Sequence, residues 1–212
     1  MFQRDTLFFS QGYSVSDVRR ILVDWELYNK PSDFDELVNA VRLRFVRYFE
    51  IYDYYFSHRQ YIDLSQKHKA FVGVFTLSND FIVAPGVCSL LETYYQFIEG
   101  IDQTPPGETV QAYIQIFKVL LHRNPCYSEE NAKKFYKLIR NGIIHQAKTS
   151  ITAAFSDGGN PIFVDGDGFL LCNLKSFYGD LSDSIHNYFN YLSGKSIEVK
   201  AKFIAKIRAI LS

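Results

Sequence analysis

Phe135-Tyr136-Lys137-Leu138-Ile139-Arg140-Asn141-Gly142-Ile143-Ile144-His145-Gln146-Ala147 is the stretch on which the reading of the fold turns. It contains no proline, and its apolar residues return every three or four positions, the period of a helix with one buried face. At about 100° per residue, Phe135, Ile139, Ile143, Gln146 and Ala147 fall together and are expected to meet the core. Lys134, Lys137, Asn141, His145 and Lys148 form a polar stripe on the opposite face, with Leu138 and Ile144 on its flanks. A polar stripe bordered by apolar residues suits a covered groove or a subunit interface. Gly142 sits mid-helix, where glycine costs about 1 kcal/mol relative to alanine, a loss that makes sense where another backbone approaches closely.

Upstream, Ser128-Glu129-Glu130-Asn131 predicts the start of this helix, with a serine cap and acidic residues at the positive end of the helix dipole. The pattern then runs unbroken to about Thr149. Asn124-Pro125 ends an earlier helical stretch from Val110 to Leu121, and Thr104-Pro105-Pro106-Gly107 is a loop before that. Val87 to Ile98 reads as another helix closing near Gly100. Nearer the N-terminus, Val18, Ile21, Leu22, Trp25 and Tyr28 recur at helical spacing after Ser14, and Pro31 is expected to stop that helix. Ser32 and Asp33 then cap a long second helix whose apolar stripe is Leu37, Val41, Phe45, Tyr48, Phe49, Tyr52 and Phe56. Arg42, Arg44 and Arg47 lie off that stripe, as a solvated face or as a contact for phosphate.

Downstream of Thr149 the period changes. Ser156-Asp157-Gly158-Gly159-Asn160-Pro161 is a turn cluster, and Ile162–Val164 and Phe169–Leu174 are short apolar runs around Asp165-Gly166-Asp167-Gly168. That predicts a β-hairpin near residues 162–174, inside an insertion of about 155–175. The Asp-Gly-Asp-Gly run is similar to the start of a calcium loop. The position where such a loop places its bidentate Glu holds Ser176, so a plain turn is expected and no metal. Two helices close the chain, one carrying Phe177, Leu181, Ile185, Tyr188 and Leu192. The other carries Phe203, Ile204, Ile207 and Leu211 behind a Ser196 cap. The expected fold class is mainly α, a helical bundle with a small β-hairpin, and residues 1–212 read as a single domain.

Composition narrows what such a fold can do. Lys plus Arg and Asp plus Glu number 23 each, so the net charge is zero, whereas a general nucleic-acid clamp carries a basic excess. A small basic site remains compatible with that balance. Nineteen Phe and 15 Tyr accompany a single Trp and a single Met, enough aromatic volume for a thick helical core or for an extended interface. Cys88, Cys126 and Cys172 are widely spaced and odd in number; they suit neither a disulfide framework nor a paired-cysteine metal site, and they fit a reducing cytoplasm. The opening Met-Phe-Gln-Arg-Asp lacks the layout of a signal peptide. The most membrane-like stretch, Ala70 to Leu91, is interrupted by Ser78-Asn79-Asp80 and Pro85-Gly86, and reads as buried helices with a turn between them. The expectation is a cytoplasmic protein with no membrane partner. No glycine-rich phosphate loop, GxSxG elbow or HExxH is present, and no cofactor is expected. His58 and His68 lack the i, i+4 spacing of helical metal ligands, and His122 and His186 read as surface or satisfied core residues.

Arg140 and His145 are five residues apart, about 140° around an ideal helix, so they do not share a face. A second copy of the helix brought up by a two-fold axis would gather both pairs at one seam, which favours a homodimer. Arg140-Asn141-x-x-x-His145 inside a late helix of a helical chain resembles the R-x4–6-H motif of HEPN-domain proteins, and Ile139-Arg140-Asn141-Gly142-Ile143-Ile144-His145-Gln146-Ala147 is especially similar to bacterial members. The resemblance is carried by about residues 128–150. It implies a helical bundle of the HEPN type and, in many members, a metal-independent endoribonuclease of toxin–antitoxin, abortive-infection or CRISPR systems. The same resemblance implies Arg140 and His145 as the catalytic pair, with Asn141 as the polar residue beside the Arg. An RNA substrate, a homodimer and, in toxin systems, an antitoxin protein are the implied partners. Lys137 and Lys148 would add local attraction for phosphate. A non-catalytic HEPN binding or dimerisation module is the alternative, with His145 in a hydrogen-bond network and Arg140 paired to a carboxylate such as Glu50 or Asp53.

Overall fold

The computed structural model describes residues 8–58, 80–146 and 152–212, the side chains of Phe8, Phe81, Ile82 and residues 144–146 excepted. The described chain is mainly helical, with a few short strands. A two-stranded hairpin, β1 (Phe8–Ser10) and β2 (Tyr13–Ser14), leads into α1 (Val15–Tyr28). Ser14 caps α1 reciprocally: its Oγ accepts from the Asp17 N–H, and the Asp17 carboxylate accepts from the Ser14 N–H. The helix stops at Asn29, which takes the left-handed conformation at φ 48°, and not at Pro31 as the sequence suggests. Pro31 instead opens α2 (Pro31–His58), since its missing N–H falls where a helix has no acceptor to offer. Ser32 and Asp33 therefore lie in the first turn.

α3 (Asp80–Glu99) also departs from expectation, because it begins before Pro85 and runs through it. Proline removes one backbone bond there, but Val83, Ala84 and Val87 are buried, and buried Asp80 accepts a hydrogen bond from the Tyr55 hydroxyl at 3.2 Å. Packing holds this first turn against the local preference. Residues 70–79 of the membrane-like stretch, and His68, lie outside the described residues. Among the described residues no helix is long and apolar enough to cross a membrane.

α4 (Thr109–Leu120) and α5 (Glu129–Phe135) follow, then a π-helical turn (Tyr136–Arg140) and α6 (Asn141–Gln146). Ser128 caps α5 by accepting from the Asn131 N–H. The predicted hairpin is present: β4 (Ile162–Val164) pairs antiparallel with β5 (Leu170–Cys172) around the Asp165–Gly168 turn. Asp165 Oδ1 accepts from the Asp167 and Phe169 N–H groups, which is a turn-forming role. A third strand, β3 (Ala153–Phe155), lies parallel to β5, so β5 is central. The alternation of three residues was too short to announce β3. Leu174, expected to end the hairpin, opens α7 (Leu174–Tyr191). A short 3-10 turn (Leu192–Gly194) and α8 (Ile197–Leu211) complete the fold. Ser196 sits at the cap position of α8 but makes no side-chain capping bond.

The chain packs as two compact units, Met1–Asp53 with Thr93–Pro105 and Ser182–Ser212, and Tyr54–Glu92 with Pro106–Leu181. In the first, Phe45, Phe97, Phe189 and Phe203 form one ring cluster, with centroids 5.2 Å (Phe45–Phe189), 5.6 Å (Phe45–Phe97) and 5.8 Å (Phe97–Phe203) apart. In the second, Phe135 packs against Phe177 with centroids 5.0 Å apart, and Phe117, Tyr127 and Tyr113 lie around them. Much of the aromatic surplus is thus core, where such contacts add to burial. Tyr48 is an exception: it belongs to the predicted apolar stripe of α2 yet is 49% exposed.

Candidate functional site around Arg140

Phe135, Ile139 and Ile143 are buried, as their spacing predicts. Positions four apart drift by about 40° in an ideal α-helix, so this row would slowly leave the core. The π turn between Tyr136 and Arg140 corrects the drift. The Asn141 N–H reaches back five residues to the Tyr136 carbonyl, and the wider turn holds more residues. Turns of this kind are rare and concentrate at functional positions. Here it ends on Arg140, immediately before α6.

The Arg140 side chain is 16% exposed and held on three sides. Its Nε donates to Glu92 Oε1 at 3.0 Å, its Nη1 donates to Asn141 Oδ1 at 3.2 Å, and its guanidinium lies 5.5 Å from the centre of the Tyr136 ring. Among the described residues Nη2 has no hydrogen-bond acceptor. Glu92 on α3 is braced in turn by the Tyr113 hydroxyl of α4, which donates to the same Oε1 at 3.2 Å. The Cys88 thiol, one turn before Glu92, lies beside Tyr113. A carboxylate, a phenol and a thiol therefore stand behind one guanidinium.

Electrostatics within this group follow from burial. Burial opposes the Arg140 charge, but the Glu92 carboxylate outweighs it and holds the guanidinium above its ordinary pKa. Burial pushes the Cys88 thiol up to about 12, against the opposing effect of the Tyr113 hydroxyl. Tyr113 is raised well above its ordinary value by burial, then by Cys88 and Glu92. Cys88 is thus no nucleophile near neutrality, and Tyr113 stays a donor.

The other expected site residues divide. Asn141 is half-buried and joins Arg140 directly. Lys137 is exposed on the π turn. Lys134 is engaged by Glu130 at 2.8 Å. Lys148 and the His145 side chain lie outside the described residues; the backbone of His145 belongs to α6. The carboxylate facing Arg140 is Glu92, where the sequence reading had suggested Glu50 or Asp53. Nothing local announced it, because the pair spans 48 positions. The one available hint was Cys88 and Glu92 at i, i+4 on the same helix.

The remaining described histidines have structural partners. His58 stacks on Tyr54 and contacts its carbonyl, His122 meets the Val119 carbonyl, and His186 meets the Ser182 carbonyl beside the Phe49 ring. Among the described residues no group of three or more His, Cys, Asp or Glu is placed to hold a metal ion. No family model matches the chain, and no curated protein or solved structure matches it. The reading of this site rests on its own residues.

Proposed function

We propose that the protein is a metal-independent endoribonuclease of a toxin or phage-defence type, with Arg140 and His145 as its catalytic pair at a homodimer seam. The observation that carries this reading is the posture of Arg140. Its Nε and Nη1 are anchored by Glu92 and Asn141, while Nη2 has no acceptor among the described residues. A guanidinium fixed this way is pre-organised to take a phosphate oxygen as negative charge builds on it, without reorienting at the moment of reaction. The RNA 2′-hydroxyl attacks the adjacent phosphorus and the bond to the 5′-oxygen breaks, giving a 2′,3′-cyclic phosphate and a 5′-hydroxyl. His145, with an ordinary pKa near about 6.5, is the side chain suited to move the proton. Asn141 holds Arg140, and Lys137 and Lys148 draw phosphate to the helix. The setting is cytoplasmic, and an antitoxin protein is the partner a toxin of this kind would require.

The same geometry favours a second reading. Glu92 already neutralises Arg140, and a neutralised, mostly covered arginine suits a non-catalytic HEPN binding or dimerisation module. Labelled single-stranded RNA incubated with purified protein in excess EDTA separates the two, beside Arg140→Ala and His145→Ala variants shown to be folded. Cleavage that resists EDTA and vanishes in both variants supports the ribonuclease. Intact RNA, or variants that cut as well as the parent, hands the site to the module.

A further inference from the structure

A second group of arginines has the opposite character. Arg44, Arg47, Tyr48 and Ile51 follow one another on α2 at i, i+3, i+4 and i+7, and so line a single exposed face. Opposite them the β1–β2 hairpin supplies Phe9 and Ser10, and the cleft between has a volume of about 580 Å³. That lies within the range of roughly 300–1,000 Å³ found for small-molecule sites.

Among the described residues nothing compensates the charge in this cleft. Neither Arg44 nor Arg47 has a carboxylate partner among the described residues, although the chain carries as many acidic as basic side chains. The nearby cation is Lys206, whose own charge is disfavoured by burial and by Arg44 and supported by Asp102. Arg44 lies 5.2 Å from the Phe9 ring centre, a cation–π contact with the cleft wall. Tyr48 and Ile51 are 49% and 63% exposed, an apolar surface beside the two guanidiniums. Ser10 Oγ, in the same wall, is shut from solvent and has no hydrogen-bond partner among the described residues.

Two guanidiniums one helical turn apart, with no carboxylate partner among the described residues, call for an anion, and the shape of the guanidinium suits phosphate. An exposed tyrosine at the next position offers a flat apolar face for a ring. We propose that this cleft binds a nucleotide unit, its phosphate on Arg44 and Arg47 and its base against Tyr48, either free or as part of a single RNA strand. The site shares no residue with the Arg140 site and does not depend on the ribonuclease reading.

The test uses binding in place of cleavage. A fluorescent eight-residue oligouridylate with 2′-O-methyl groups cannot undergo 2′-hydroxyl attack, and its binding to the full chain is read by anisotropy between 50 and 200 mM salt. The parent protein is expected to bind it, and an Arg44→Gln/Arg47→Gln variant to bind at least about ten-fold more weakly. With two phosphate contacts gone, the slope of log affinity against log salt should fall by about 1.4. Tyr48→Ala is expected to weaken binding by about ten-fold or more. Because this probe cannot be cleaved, failure of the catalytic reading leaves the result standing. Competition by AMP assigns the cleft to a single nucleotide, and dependence on the arginines without such competition assigns it to a strand. Equal binding by the parent and the double arginine variant overturns the proposal, as does a parent that binds neither probe. Because these three side chains are exposed, the variants should keep the parent's circular dichroism, and Arg44→Lys/Arg47→Lys should restore most of the salt slope.

Discussion

Arg140 and the Arg44–Arg47 pair show two ways in which a chain of zero net charge can present a guanidinium. Arg140 is 16% exposed, faces a carboxylate at 3.0 Å and rests on a ring, and beneath it lies the core row of Phe135, Ile139 and Ile143. Arg44 and Arg47 are exposed, face no carboxylate among the described residues and sit above a cleft. The first arrangement gives up attraction for direction: a distant anion feels little net charge, but an arriving one meets a donor already aimed. The second keeps its attraction and leaves the direction to the ligand. Catalysis needs a charge placed within a fraction of an ångström, whereas binding of a mobile strand is served by charge alone.

The comparison is most easily broken by perturbing what each arginine stands on. Phe135 is fully buried under the π turn, against Tyr113, Phe117 and Phe177. Phe135→Ala should destabilise the protein by about 3–5 kcal/mol, since it removes a large ring from a packed interior and leaves a cavity. Tyr48→Ala, at an exposed position, should change stability by no more than about 0.5 kcal/mol. Urea unfolding followed by circular dichroism reports both, and equal shifts in the midpoint would show that the two regions are not built differently.

A smaller, graded effect comes from pH. Cys88 and Cys172 are buried and their thiols are held above the ordinary value, Cys88 at about 12. In the unfolded chain a thiol ionises near about 8.5, so above that pH the unfolded state has lost a proton that the folded state keeps. Stability contributed by each thiol is therefore complete below pH about 8.5 and lost as pH rises toward the folded value. The expected fall is about 1.4 kcal/mol per pH unit for each thiol in this window. Cys88→Ala should shallow the decline measured by chemical denaturation between pH 9 and 11, and an unchanged slope would remove Cys88 from the account.

How much of this was legible beforehand follows from the range of each interaction. Periodicity placed the helices because a helix is written in residues three and four apart, and Phe135, Ile139 and Ile143 are buried as that spacing requires. The turn at Asp165–Gly168 was legible because its glycines and aspartates act within four residues. Pro85 misled, because the packing of Val83, Ala84 and Val87 that outweighs it is tertiary. Tyr48 misled for the converse reason: its phase on α2 suits the stripe, but no element covers it among the described residues. Arg140 and Asn141 were found from their local pattern, while Glu92 and Tyr113 were missed because their contacts join three helices far apart in sequence. The cleft beside Arg44 and Arg47 was visible only as arginines off the apolar stripe, since its other wall comes from the N-terminal hairpin.

The finest discrimination between the two kinds of arginine lies in single charge removals. Glu92→Gln keeps a hydrogen-bond acceptor near Arg140 Nε but removes the countercharge that offsets the burial of the guanidinium. An exposed ion pair is worth less than about 1 kcal/mol and breaking a fully buried one costs about 3–5 kcal/mol; this pair, with side chains 16% and 20% exposed, falls between, at about 1–2 kcal/mol. Arg44→Gln removes a charge that has no carboxylate partner among the described residues and that disfavours the charge on Lys206. Its effect on stability should be within about 0.5 kcal/mol of zero, with the sign of a gain at low salt where repulsion is least screened. Urea midpoints of the two variants at low and at high salt decide the matter. A loss for Glu92→Gln together with no loss for Arg44→Gln marks Arg140 as a charge the fold holds in place and Arg44 as one it leaves available. A clear loss for Arg44→Gln would mean that this arginine is part of the structure, and the contrast between the two regions would fail at its root.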